Sequence, residues 1–179
     1  MDFTEKRIDG EYKYHGVIVD VRLDNAELFN GHIVKREVVE HPGGVAVLPI
    51  DKEGNCYMVS QFRYPLGEMM LEVPAGKLEK GEEIELSARR ELSEETGFSA
   101  DKLIYMGKFA TSPGITTEML HLYLALELHE GVTHPDEDEY LNILKYPLEE
   151  LSRMVMDGEI TDGKTVIAIL KAEKYLKSL

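Results

Sequence analysis

The sequence is short of positive charge, of cysteine and of long apolar runs. Its 20 Lys and Arg residues stand against 34 Asp and Glu residues, which gives a net charge of −14. This balance argues against a nucleic-acid backbone or an anionic membrane surface as a partner. The single cysteine, Cys56, excludes an intrachain disulfide and gives no sign of an oxidising compartment. The longest apolar run, residues 45–50, is far shorter than the ~20 residues that span a bilayer. We therefore predict a soluble, cytoplasmic protein.

Apolar residues are nevertheless plentiful enough for one folded domain. They make up 43% of a chain of 179 residues, which is long enough for a full core. Short strands are predicted in residues 1–40, with turn signals at Asp24-Asn25 and Asn30-Gly31. Further strands are predicted near residues 45–50, 56–62, 70–73, 103–109, 120–126 and 141–145. Helices are predicted over 83–96, from Pro147, and over 163–177, the last with Val166, Ile169, Leu170 and Leu176 facing inward. This mixture leaves α/β and α+β folds open.

Three carboxylates crowd one face of the first predicted helix. Glu94 and Glu95 follow Glu91 by three and four residues, spacings that bring side chains together on a helix. Arg90, four residues before Glu94, offsets part of their repulsion. Converging carboxylate oxygens are what a hard divalent cation such as Mg²⁺ requires. The alternative, on charge pattern alone, is a solvated acidic helix face, which is common in proteins.

These glutamates belong to a longer pattern of fixed positions. Its members are Gly76, Glu82, Arg90, Glu91, Leu92, Glu94, Glu95, Gly97 and Phe98. The pattern resembles the box of the Nudix hydrolases at every defined position. The resemblance implies an α/β fold, namely an α/β/α sandwich of mixed sheets with the box as loop–helix–loop, preceded by a short N-terminal β-strand region. It also implies Mg²⁺-dependent hydrolysis of a nucleoside diphosphate linked to another group.

Other stretches resemble one subgroup, the bacterial ADP-ribose pyrophosphatases. They are residues 36–47, 61–63, 72–77 and 136–139, together with Pro113, which lies sixteen residues after Gly97. The resemblance implies conversion of ADP-ribose and water to AMP and ribose 5-phosphate. It further implies a homodimer in which the strands of residues 1–40 exchange across a two-fold axis, beside a Nudix hydrolase domain of residues 41–179.

The resemblance implies a metal site on the box. Glu91 and Glu95 would bind Mg²⁺, or Mn²⁺ in its place, together with the backbone carbonyl of Ala75. Glu94 would be a further ligand or would position a water molecule.

The remaining implied roles concern the base and the substrate. Glu137 and Glu139 would supply the general base or an added metal ligand. Substrate contacts are implied for Arg36 and Glu37 at the adenine, for Arg63 at the phosphates, and for Pro113. Each has a plainer interpretation, namely surface ion pairs for the arginines, a type II turn at Pro113 and a solvated acidic loop at 136–139.

Two other functions stay open at this stage. The substrate could be another nucleoside diphosphate derivative, such as a nucleotide sugar or a dinucleotide. The chain could also be a module that binds ADP-ribose without cleaving it. The crowded Glu91, Glu94 and Glu95 argue against this second alternative, because a pure binding module has no need of them.

Overall fold

The computed structural model describes residues 1–134 and 140–178 of the chain. Within them are ten strands and three helices. The strands are β1 (Lys6–His15), β2 (Asp20–Glu27), β3 (Ile33–Glu40), β4 (Gly44–Pro49), β5 (Asn55–Arg63), β6 (Glu68–Glu72), β7 (Ala75–Lys77), β8 (Phe98–Ala110), β9 (Met119–Glu130) and β10 (Leu141–Pro147). The helices are α1 (Ile84–Thr96), α2 (Leu148–Met156) and α3 (Gly163–Leu176). None of the helices in the described residues is both long and apolar enough to cross a membrane.

The chain forms two compact units. The first comprises Met1–Gly43 and Ala110–Met119, and the second comprises Gly44–Phe109 and Leu120–Leu179.

The first unit contains an antiparallel sheet in the order β1-β2-β3. The predicted turn at Asn30-Gly31 is confirmed, because Gly31 has a φ of 82° and its N–H donates to the Leu28 carbonyl. The predicted turn at Asp24-Asn25 is wrong, since both residues lie inside β2. Asp24 is only 5% exposed and accepts hydrogen bonds from the Nε atoms of Arg7 and Arg22, so side-chain pairing holds a residue that favours turns within a strand.

The second unit is built around β4, whose six residues are all buried. β4 lies in a mixed sheet of order β7-β4-β9-β8, parallel to β9 and antiparallel to β7. A second sheet has the order β10-β5-β6. Alternate β4 side chains point to opposite faces. Val45 and Val47 pack with Ala88 and Leu92 of α1, whereas Ala46 and Leu48 share a core with residues of β5, α2 and α3. Helices therefore cover both sides, which is the predicted α/β/α sandwich.

The helices follow the predicted positions closely. α1 ends at Gly97, whose φ of 74° lies in the left-handed region and whose N–H donates to the Ser93 carbonyl. In α3 the buried residues are Thr165, Ala168, Ile169 and Ala172, a stripe with steps of three and four. Leu170 lies off that stripe and is 38% exposed, so its predicted inward position is wrong.

Candidate active site

The box glutamates of α1 are not a solvated face. Glu91 is 7% exposed and Glu95 is 1% exposed, while the side chain of Glu94 is 32% exposed. Burying a carboxylate is costly unless the surrounding structure compensates the charge. Two of the three glutamates are therefore held inside the second unit, where they require cationic or hydrogen-bonding partners.

Arg90 links the glutamates of the box. Its Nη1 donates to Glu91 Oε1 at 2.8 Å and to Glu94 Oε2 at 2.9 Å. Its Nε and Nη2 donate to the two oxygens of Glu82, each at 3.0 Å. The hydrogen bonds from Arg90 lower the pKa of Glu82 to about 2. The fixed arginine therefore gathers three box carboxylates and disperses the repulsion that their crowding creates.

Gly76 makes room for Glu91. A Cβ atom at position 76 would lie 2.0 Å from Glu91 Oε1, far inside van der Waals contact. The carboxylate thus lies directly against the backbone of β7, the strand that precedes α1. This close approach explains in physical terms why the pattern requires glycine at its first position.

The same strand, β7, contacts Glu95. The Ala75 N–H donates to Glu95 Oε2 at 3.1 Å, and Ala75 pairs with Ala46 in the sheet. Glu91 and Glu95, one turn apart on α1, therefore meet the adjoining residues Ala75 and Gly76. Carboxylate and backbone carbonyl oxygens fit a hard divalent cation. Among residues 1–134 and 140–178, however, no three His, Cys, Asp or Glu side chains form a group that could hold a metal ion.

Arg63 is paired with a buried glutamate. Its Nε and Nη2 each donate to an oxygen of Glu72 at 2.6 Å, and Glu72 is 1% exposed. Burial alone would raise the pKa of Glu72, but the hydrogen bonds from Arg63 and the charge of Lys164 outweigh it and lower the pKa. The surface-pair interpretation of Arg63 was therefore incomplete, since its partner lies in the interior.

The sequence reasoning assigned no role to Lys164 or to its neighbours Asp162 and Thr165. A signal was present, because Asp162 precedes an apolar helix by one residue and is the type of residue that caps helix N-termini. The structure confirms the cap, in which Asp162 Oδ2 accepts from the Thr165 N–H at 3.0 Å. The capped end of α3 also contacts the connection between β6 and β7, through the hydrogen bond from the Val73 N–H to Thr165. A local sequence pattern could not predict this contact, because 92 positions separate the two residues.

The residues of the first unit that were predicted to contact substrate lie on its sheet and in a turn. Arg36 lies on β3, where its Nε and Nη2 donate to the carboxylate of Glu5 at 2.9 and 2.7 Å. Glu37 is exposed on the same strand. Pro113 is exposed in a turn in which the Ile115 N–H donates to the Ser112 carbonyl at 3.1 Å. The predicted base residues, Glu137 and Glu139, lie outside the described residues.

Comparison with known proteins assigns the family. Residues 40–167 match the NUDIX domain, which covers well over half of the chain. The chain belongs to the Nudix family.

The chain is similar to known proteins over almost its whole length. The chain is 47% identical over 167 residues to an ADP-ribose pyrophosphatase of Bacillus subtilis (strain 168), covering 92% of this chain and 90% of the relative. It is 43% identical over 179 residues to a methanol dehydrogenase activator of Bacillus methanolicus, covering 98% of this chain and 97% of the relative. The crystal structure of an ADP compounds hydrolase shares the fold with a TM-score of 0.87 at 20% identity, over 99% of this chain and 97% of that one. The resemblance to the Nudix hydrolases and the predicted fold class are both confirmed.

Proposed function

We propose that this Nudix hydrolase cleaves the pyrophosphate bond of ADP-ribose, giving AMP and ribose 5-phosphate, with Mg²⁺ as its metal. The observation that carries the proposal is the burial of Glu91 and Glu95 against residues 75–76. The relative named ADP-ribose pyrophosphatase, at 47% identity, supports the choice of substrate.

The metal would be held by Glu91, Glu95 and the backbone carbonyl of Ala75. Glu94, the most exposed of the three box glutamates on α1, would be a further ligand or would position the attacking water. When bound, Mg²⁺ or Mn²⁺ would neutralise phosphate charge and lower the pKa of a coordinated water. A cation of this kind also accounts for how a chain with a net charge of −14 would hold an anionic substrate.

Two arginines of the second unit would act in different ways. Arg90 donates to Glu91 and Glu94 through its Nη1, so its role would be to hold these carboxylates in place. Arg63 would contact the phosphates. Two of its nitrogens donate to Glu72, which fixes the plane of the guanidinium and its direction.

The remaining roles carry over from the resemblance as parts of the proposal. Glu137 or Glu139 would act as the general base or as an added metal ligand. Arg36 and Glu37 would contact the adenine, with Pro113 also contacting the substrate. For Arg36 this contact would require its ion pair with Glu5 to open or to rotate.

A homodimer is also part of the proposal, with residues 1–40 as the exchanged strand region and residues 41–179 as the Nudix domain. All ten residues of β1 are exposed, among them Ile8, Tyr12 and Tyr14. Burial of these side chains against a second copy would supply a driving force for association.

We further place the enzyme in the cytoplasm, without nucleic-acid or membrane partners. This proposal accords with the buried thiol of Cys56 and with the negative net charge of the chain.

One relative favours a second candidate function. The chain is 43% identical to a protein named methanol dehydrogenase activator. The candidate is therefore activation of a dehydrogenase, with hydrolysis of a nucleotide as its chemical basis. It uses the same box glutamates, so it extends the first proposal and does not replace it.

The test is a hydrolysis assay on a panel of substrates. Wild-type protein is incubated with ADP-ribose, a nucleotide sugar and a dinucleotide, each with Mg²⁺ and with a chelator, and the nucleotide products are separated by chromatography. We expect AMP from ADP-ribose at the highest kcat/KM, and no product with the chelator. Preference for another member of the panel would contradict the substrate assignment. Binding of ADP-ribose without turnover would instead identify a non-catalytic module.

A further inference from the structure

The N-terminus of α3 contacts the segment that leads into the proposed metal site. This segment runs from Glu72 at the end of β6 to Ala75 at the start of β7. The Val73 N–H donates to Thr165 Oγ1 at 2.8 Å, and both residues are 0% exposed. A buried backbone N–H thus depends on a side chain 92 positions further along the chain.

The helix cap fixes the orientation of the Thr165 hydroxyl. The Thr165 hydroxyl donates to Asp162 Oδ2 at 2.6 Å, and the same oxygen accepts from the Thr165 N–H at 3.0 Å. Because the hydroxyl proton is directed to Asp162, a lone pair of Oγ1 remains to accept from Val73. The helix cap and the Val73 backbone are therefore parts of one hydrogen-bonded chain.

A second contact from α3 holds the neighbouring residue. Lys164 Nζ donates to Glu72 Oε2 and forms an ion pair with Asp162 Oδ2 at 3.0 Å. The side chain of Lys164 is only 11% exposed, and Glu72 is also bound by Arg63. The segment is consequently fixed at two successive residues, through the Glu72 side chain and through the Val73 backbone.

The other side of the segment belongs to the site itself. The Val47 N–H donates to the Pro74 carbonyl at 2.9 Å, and the Ala75 N–H donates to Glu95 Oε2. Pro74 restricts the backbone between the two sets of contacts. A shift of Val73 would therefore also move the Ala75 peptide. The metal site requires that this peptide keep its position relative to Glu95.

We infer that Thr165 is a positioning residue, which acts through Val73 to hold the Ala75 carbonyl where a divalent cation binds. The inference rests on the proposed function, because it concerns the same metal site. Asp162 and Lys164 support Thr165, the first by fixing its hydroxyl and the second by holding Glu72. Partners beyond the immediate ligands commonly set metal affinity in this manner.

The experiment compares Thr165→Val, which keeps the side-chain shape without the hydroxyl, with Thr165→Ser, which restores the hydroxyl. Ile169→Val is the matched control, since Ile169 is a fully buried residue of the same helix. Binding of Mn²⁺ alone is measured by electron paramagnetic resonance without nucleotide. Amide hydrogen exchange of peptides within residues 70–77 is measured without metal.

Thr165→Val should bind Mn²⁺ about tenfold more weakly than wild type and should exchange faster across residues 70–77. Thr165→Ser and Ile169→Val should stay close to wild type in both measurements. Unchanged Mn²⁺ affinity in Thr165→Val, or an equal loss in Ile169→Val, would overturn the positioning role. A wild type that binds Mn²⁺ but cleaves no nucleoside diphosphate would contradict the proposed function alone, and one that binds no Mn²⁺ would contradict both.

Discussion

At the level of single residues, the site depends on side chains that are buried with their charge. Glu72, Glu91 and Glu95 are each less than 10% exposed. The first two are paired with arginines, and Glu95 accepts from a backbone N–H. Each of these buried carboxylates has fixed partners, which hold its oxygens in positions that are well suited to interact with an incoming cation.

Gly76 provides the first prediction. In Gly76→Ala the new Cβ would lie 2.0 Å from Glu91 Oε1, so either the Glu91 carboxylate or the backbone of β7 must move. We expect kcat/KM for ADP-ribose to fall about 100-fold, because small displacements of a catalytic group have large effects on rate. Gly163→Ala is the control, since a Cβ there meets nothing within 4 Å, and it should retain wild-type activity. Full activity in Gly76→Ala would show that activity does not require Glu91 to lie against β7.

Local spacing was sufficient to predict that three carboxylates crowd one face of α1. Glu91, Glu94 and Glu95 share one helix, so the 3.6-residue period places them together without knowledge of the tertiary fold. The pairing of Glu72 with Lys164 could not be predicted in this way, because 92 positions separate the two residues. The charge pattern also could not predict that Glu91 and Glu95 are buried, because it indicates only that acidic residues share a face.

At the level of helices and strands, local signals were again predictable from the sequence and long-range contacts were not. α1 was predicted well because its apolar stripe and its terminal glycine are local signals. Strand β1 was not assigned bounds in the prediction, although Ile8, Gly10, Tyr12 and Tyr14 alternate with charged residues along it. Its position follows from pairing with β2, which is information that a local pattern does not contain.

The turn between β4 and β5 provides a prediction at this scale. Asp51 accepts from the Asn55 N–H at 2.8 Å and pairs with Lys145 of β10 at 2.8 Å. Burial tends to raise the pKa of Asp51, but these partners outweigh it and lower the pKa to about 2. The folded-state pKa is below the ordinary value of 3.8, so the stabilisation is complete above about pH 4 and is lost as the pH falls through about 2.

Urea unfolding of wild type and Asp51→Asn measures this effect. At pH 5 the wild type should be more stable by about 1 kcal/mol, a value kept small by the solvent screening of the half-exposed Lys145. The difference should shrink steadily between pH 4 and pH 2. Asp157→Asn, at an exposed position after α2, serves as the control and should follow the wild type. A difference that is independent of pH would contradict the assigned ionisation.

At the level of the whole molecule, the first unit provides a test of assembly. Ile8 on β1 is 47% exposed. If β1 lies in a dimer interface, Ile8→Asp places a charge there and should dissociate the dimer. Sedimentation should change from about 40 kDa, twice the chain mass of 20.3 kDa, to the mass of one chain.

Met156→Asp is the matched control for the dimer. Met156 lies on α2 and is 75% exposed, so the substitution adds the same charge to a surface outside the first unit. This variant should sediment like the wild type. A wild type that sediments as a single chain at micromolar concentration would contradict the proposed homodimer, although not the proposed hydrolysis of ADP-ribose.

The central claim is that the buried carboxylates of α1 hold the metal that catalysis requires. The most direct measurement is the rate of AMP release from ADP-ribose as Mg²⁺ is titrated, for wild type, Glu95→Gln and Glu85→Gln. Glu85 lies on the same helix but is exposed and pairs with Arg89, so it controls for charge and helix propensity. We predict a loss of about 10³-fold or more in Glu95→Gln, with its melting temperature retained, and wild-type rates in Glu85→Gln. Near-normal, Mg²⁺-dependent turnover in Glu95→Gln would contradict the claim that the buried carboxylates of α1 hold the catalytic metal.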